Sequence, residues 1–205
     1  MKVYPINVEV ATTRTYGSLE GSAPASRTGS MTIGLNTSIV LLPETPMQRR
    51  IWDQRVGYFT NKYTIFNDEQ TKTDREEFIS RFRLEPKDKR AYAKGKLTDP
   101  VNPIVFYIDP ATPKKWVPYL KQGIEDWNAA FETAGFKHAI QARDWPDDPK
   151  MSVDDARFNV LRYLPAEIEN AYGPRIVDPR SGEIIESHIC WYHNVMNLLT
   201  KWYLT

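Results

Sequence analysis

The run Ile104–Ile108, IVFYI, constrains the fold more than any other feature of this chain. It is a continuous apolar segment between Pro103 and the pair Asp109-Pro110. Such a segment is too short for a helix and does not alternate, so it reads as a strand buried on both faces, central in a sheet. A helix is expected next. Trp116, Leu120, Ile124, Trp127, Phe131 and Ala134 recur at spacings of 4, 4, 3, 4 and 3, which makes one long amphipathic stripe. Thr112 and Pro113 suit an N-cap and first helical position, and Gly135 suits the stop. Pro118 requires either that the regular helix start near it or that the first turns kink. Further strands are expected at 139–142 and 158–164.

The first third is β-rich. Residues 3–13 alternate, with Val8, Val10 and Thr12 on one face. Residues 17–36 are crowded with Gly, Ser, Thr and Ala and read as a loop or long hairpin connection. A short strand is expected at 37–42, ended by Pro43. Residues 55–66 have the aromatic and β-branched content of strand pairs, and 78–84 alternate. The hydrophilic stretch 85–103 is the expected boundary, dividing a β-rich module at 1–96 from a second region at 97–205. Between Arg81 and Lys96 there are seven basic and two acidic side chains. These read as a solvated linker rather than a polyanion patch, because the neighbouring aromatics sit in strands. The five aspartates from Asp144 to Asp155 read as a solvated loop, since the Gly and closing Glu of a calcium hand are missing.

Residues 171–189 read as a hairpin. Asp178-Pro179-Arg180-Ser181-Gly182 supplies the turn, with Pro at its second position and Gly where φ is positive. Pro174 lies within the first arm. Proline cannot donate to a ladder, so this arm is expected at a sheet edge. The C-terminus is apolar on nearly all sides of a helix that Asn194 could cap: Val195, Met196, Leu198, Leu199, Trp202, Tyr203 and Leu204. A helix apolar all round is expected to be buried, and a domain rarely ends inside one. The sequence therefore reads as a piece of a longer protein.

Composition narrows the function classes. With Lys plus Arg at 27 and Asp plus Glu at 26, the net charge is +1, without the basic excess of a nucleic-acid partner. No apolar run approaches the roughly 18 residues of a membrane span. A single cysteine, Cys190, excludes an internal disulfide framework and every Cys-rich zinc module. Phosphate-loop, dinucleotide and nucleophile-elbow glycine spacings are missing. His188 and His193 are five apart, which aligns two ligands on neither a helix nor a strand. Cys190 near either histidine reads as a buried small hydrophobe rather than a nucleophile. The residues alone thus define an α+β chain and no catalytic constellation.

Three segments carry a resemblance. They are YIDPATPKKWVPYLKQGIEDWNAAFETAGFKHAI from Tyr107, DDARFNVLRYLP from Asp154, and ENAYGPRIVDPRSGEIIESHICWYHNVMNLL from Glu169. In order and spacing they resemble the opening part of a metzincin-type catalytic domain, as found in large exported zinc-dependent metalloproteases common in Bacteroidetes. LPETPMQRRIWDQRVGYF from Leu42 and FISRFRLEPKD from Phe78 resemble the uncharacterised domain preceding it.

The resemblance implies a metzincin-like upper subdomain, a mixed sheet carrying one long helix. It implies a parent enzyme that hydrolyses peptide bonds with zinc, located in the periplasm, on the outer membrane or outside the cell. The family motif H-E-x-x-H-x-x-G-x-x-H does not occur in this chain. No catalytic residue and no metal ligand is therefore assigned, and no cofactor is expected in this chain itself. The partners implied are the rest of the catalytic domain and a peptide or protein substrate lying along an edge strand. Substrate contact would fall to Ala171, Tyr172, Gly173 and Arg175. The alternative for these residues is a capped edge with no ligand, kept from aggregating by Pro174. The alternatives for the whole chain are a protein- or glycan-binding module and an inactive pseudo-protease scaffold.

Overall fold

The computed structural model describes residues 1–17 and 29–204, and the chain divides into two compact units. The first comprises Met1–Leu42 with Asp154–Ala156. It is a three-stranded antiparallel sheet of β1 (Lys2–Val3), β2 (Asn7–Gly17) and β3 (Ser30–Val40). β3 begins well before the strand expected at 37–42. Met31, Ile33 and Leu35 alternate as half-buried positions, a period hidden in the sequence by the Gly, Ser and Thr around them. The rest of the expected loop, 18–28, lies outside the described residues.

Val8, Val10 and Thr12 share one face, as their alternation requires, and that face is half-buried. The opposite face holds Asn7 and Glu9, both buried. The reason is a hydrogen-bond network. The Glu9 carboxylate accepts from Asn7 Nδ2 at 2.8 Å, Asn36 Nδ2 at 2.6 Å and Ser38 Oγ at 2.6 Å. Asn7 in turn clasps residues 154–156, donating to Asp154 O at 2.8 Å and accepting from Ala156 N at 3.0 Å. Burial raises the Glu9 carboxyl. The donors Ser38, Asn36 and Asn7 outweigh it and leave the group below its usual range.

The second unit comprises Pro43–Val153 and Arg157–Thr205, so position 96 lies inside it. A two-stranded ribbon of β4 (Thr60–Ile65) and β5 (Asp74–Ile79) comes first, then the short helix α1 (Lys89–Ala93). The rest builds one mixed sheet from β6 (Ile104–Ile108), β7 (Ile140–Asp144), β8 (Asn159–Leu164), β9 (Ala171–Tyr172), β10 (Arg175–Val177) and β11 (Ile184–Tyr192). The order is β10-β11-β8-β6-β7, with β9 also paired to β11. β6 is an interior strand, one in from the β7 edge and parallel to both β7 and β8. Ile104, Phe106 and Ile108 are buried, while Val105 and Tyr107 on its other face are only half-buried. The α+β class expected from sequence is the class observed.

The expected long helix is two helices, α2 (Val117–Glu125) and α3 (Asn128–Thr133). Regular helix starts beside Pro118, and Gly135 ends the second helix at φ +91°. The break has a cause in the sheet. Asn128 turns its amide onto the outer side of β7, donating to Ile140 O at 2.9 Å and accepting from Ile140 N at 3.2 Å. The stripe still reaches the core. Ile124 packs with Ile104, Phe106, Ile108, Leu161 and Trp191, and Leu120 and Phe131 lie against them.

The last helix, α4 (Val195–Leu204), forms where expected but buries none of its residues. Trp202 is 67%, Tyr203 90% and Leu204 76% exposed. Val195 packs against the core, and Lys201 and Asn197 hold Glu169 at 2.7 and 2.5 Å. Leu198 is half-buried, whereas Met196 and Leu199 are exposed like the last turn, so the expectation of a buried helix is not met here. No helix among the described residues is long and apolar enough to cross a membrane.

Candidate functional site

The hairpin at the sheet edge is fixed by its turn. Gly182 has φ +77°, and a Cβ there would lie 2.3 Å from Ile79 O, so the position demands glycine. The turn is docked on the segment after β5: Arg81 N donates to Gly182 O and Ile184 N to Arg81 O, each at 2.9 Å. The Asp178 carboxylate, fully buried, takes both Nε and Nη2 of Arg180, which holds it below the usual carboxylate range. Arg83 grips the Glu183 carboxylate at 2.8 and 2.6 Å through two nitrogens. Thr45 and Pro43 carbonyls accept from Arg83 and Arg180, so the extended segment after Leu42 is laced to the hairpin.

From this turn the first arm runs back along β11 as β10 and β9, interrupted at Gly173-Pro174. The pairing keeps one register across the interruption. Arg175 faces Ser187, and Tyr172 faces Cys190. Between them Pro174 O accepts from His188 N at 2.9 Å, and beyond them Asn170 O accepts from Tyr192 N at 3.3 Å. Antiparallel strands alternate inward and outward peptide groups. Asn170, Tyr172 and Pro174 therefore face β11. Ala171, Gly173 and Arg175 turn their N–H and C=O groups to the other side, where no strand lies among the described residues.

The four residues singled out from sequence thus separate by geometry. Ala171 is exposed and its outward N–H is taken by Asn170 Oδ1 at 2.8 Å, leaving its carbonyl outward. Gly173 is exposed with both groups outward. Arg175 is half-buried, and its guanidinium lies 4.2 Å over the Phe59 ring. Tyr172 differs from the rest because its peptide faces β11 and its ring stacks on Tyr192 at 6.0 Å. The nearby Cys190 sulfur, with burial adding to it, raises the Tyr172 phenol above its ordinary value.

The opposite edge of the sheet is closed. There the outward groups of β7 meet helix side chains: Asn128 takes both groups of Ile140, and Ala142 N donates to Glu125 Oε1 at 3.2 Å. Edge strands with free peptide groups template further pairing unless they are blunted. One edge of this sheet is blunted and the other is open at Gly173 and Arg175.

Elsewhere the histidines and their acidic or hydroxyl neighbours pair with one another. Glu186 and His188 share a face of β11, their Oε1 and Nε2 2.6 Å apart and both side chains nearly buried. Cys190 continues that face and is itself buried. His193 meets the Tyr163 hydroxyl at 2.7 Å, and His138 meets Asp99 at 2.8 Å. The three histidines are thus dispersed. Among the described residues no group of three His, Cys, Asp or Glu could hold a metal ion. A cleft of about 450 Å³ under α2 and α3 is lined mainly by apolar side chains such as Phe82, Leu120, Trp127 and Phe131, with Tyr119 and no His, Cys, Asp, Glu, Lys or Arg among them.

Sequence reading missed three contributors: Phe59 against Arg175, Glu125 with Asn128 on β7, and the Glu186–His188 pair. Only the last had a signal, the strand period of two that joins 186, 188 and 190. Residues 1–87 match a family described as a domain of unknown function (DUF5117). The match runs through the first unit's β1 to β3 and ends in the polar stretch after β5. No curated protein and no solved structure matches the chain.

Proposed function

We propose that this chain is the non-catalytic, substrate-edge part of a zinc-dependent peptidase of metzincin type, and that an extended peptide adds to its sheet at β9 and β10. The open edge carries the reading. Gly173 and Arg175 offer outward N–H and C=O groups, while the far edge at β7 is closed by Asn128 and Glu125. β-Augmentation draws affinity from main-chain hydrogen bonds of this kind. The resemblance of residues 107–199 to the start of such a catalytic domain supports the reaction class. The upstream match to a domain of unknown function is compatible with it and specifies no activity.

The residues of this chain do not fit a catalytic zinc, since the three histidines lie in separate contacts. In this reading the metal and the residue that activates water belong to another part of a longer protein, and this chain alone hydrolyses nothing. The test is made in that longer protein. Gly173→Pro deletes one outward N–H, so kcat/KM for peptide hydrolysis should fall about tenfold with bound zinc unchanged. An unchanged kcat/KM would contradict the role of the edge.

The second reading is an interaction module with no protease activity. It is favoured by the exposed aromatic end of α4, where Trp202 and Tyr203 face solvent. Absence of peptide hydrolysis from the longer protein, with peptide binding retained at the edge, would favour it.

A further inference from the structure

The open edge carries one cation without a counter-ion. Arg175 makes no ion pair and no side-chain hydrogen bond among the described residues, although its neighbours Arg83 and Arg180 are both paired with carboxylates. Its guanidinium is held in place by the ring of Phe59, 4.2 Å beneath it. The side chain is therefore oriented and partly desolvated before any ligand arrives, which preserves its charge for a partner. Its own peptide group is one of those turned outward from β11.

These two facts meet on any strand that pairs with β10. A residue directly opposite Arg175 has its side chain on the same face, within about 4.5–5.5 Å between Cβ atoms. A carboxylate there meets a guanidinium that nothing else neutralises, and an ammonium there meets a like charge. We infer that the edge selects extended peptides bearing Asp or Glu opposite Arg175, with Phe59 as the residue that positions the guanidinium. This rests on the edge-binding reading above and adds a substrate preference to it.

The test uses acetylated, amidated strand-forming peptides of alternating Thr and Val, identical except for Glu, Gln or Lys at the central position. Blocked termini remove terminal charge as a source of the effect. Binding to the full chain is followed through the amide signals of Gly173 and Arg175. The Glu peptide should bind about threefold tighter than the Gln peptide and about tenfold tighter than the Lys peptide, the spread shrinking with added salt. Arg175→Glu should invert the order of Glu and Lys peptides. Phe59→Ala should narrow the ratio between Glu-peptide and Gln-peptide affinity, and an unchanged ratio would contradict its positioning role.

Three peptides that bind alike, to the native chain and to Arg175→Glu, would overturn the acidic preference and leave the edge reading standing. If no peptide moves either amide, the edge reading itself fails and the preference falls with it. The Gln peptide is the internal control that separates these outcomes, because its binding needs the edge and not the charge.

Discussion

At the scale of single residues, two positions hold local structure by different physics. Gly182 is constrained by space and by φ together, since Ile79 O occupies the place of a Cβ. Gly182→Ala should destabilise the second unit by about 3 kcal/mol, from left-handed strain plus displacement of a docked turn. Chemical denaturation checks this, and an unchanged midpoint would contradict the docking. Glu9 is constrained by charge. Its carboxyl lies below the usual value in the folded chain, so its contribution is present above the unfolded value near 4.5. That contribution is lost as pH falls through the folded value. The first unit should therefore loosen on acidification below about pH 4.5. Glu9→Gln, which sets an amide N–H₂ among donors, should cost about 1–3 kcal/mol at neutral pH and flatten the acid limb. Amide exchange across β2 and β3 reads both effects.

At the scale of elements, the alternation of peptide groups along β9 and β10 makes adjacent residues unequal. Gly173→Pro removes a group that faces away from β11, so sheet stability should hardly change while peptide addition weakens about tenfold. Tyr172→Pro removes a group facing Cys190 and should destabilise the hairpin by about 1–3 kcal/mol. Thermal melts of the two variants side by side distinguish inward from outward. Much of this was legible in the sequence. Pro174 marked the edge, Asp178 to Gly182 marked the turn, and IVFYI marked an interior strand, because each depends on backbone chemistry that local residues dictate. The split of the expected long helix at Trp127 was not legible. It follows from Asn128 meeting Ile140, a contact made only once the sheet exists. The buried polar face of β2 was hidden likewise, because Asn7 and Glu9 are satisfied by Asn36, Ser38 and Ala156, distant in sequence.

At the scale of the molecule, the sheet of the second unit has one closed edge and one open edge, and the proposed function follows from that asymmetry. The residues that close β7 come from α2 and α3, and those that brace the open edge come from the turn at Gly182 and from Phe59. Hydrogen–deuterium exchange at single amides tests the asymmetry directly. In the free chain, Ile140 and Ala142 should exchange slowly because Asn128 and Glu125 accept their N–H groups, whereas Gly173 and Arg175 should exchange fast. With the Glu-bearing peptide in excess, Gly173 and Arg175 should gain protection of about tenfold or more while Ile140 and Ala142 stay as they were. Fast exchange at Gly173 and Arg175 that the bound peptide does not slow, or protection already present without it, would contradict an open edge that receives a strand.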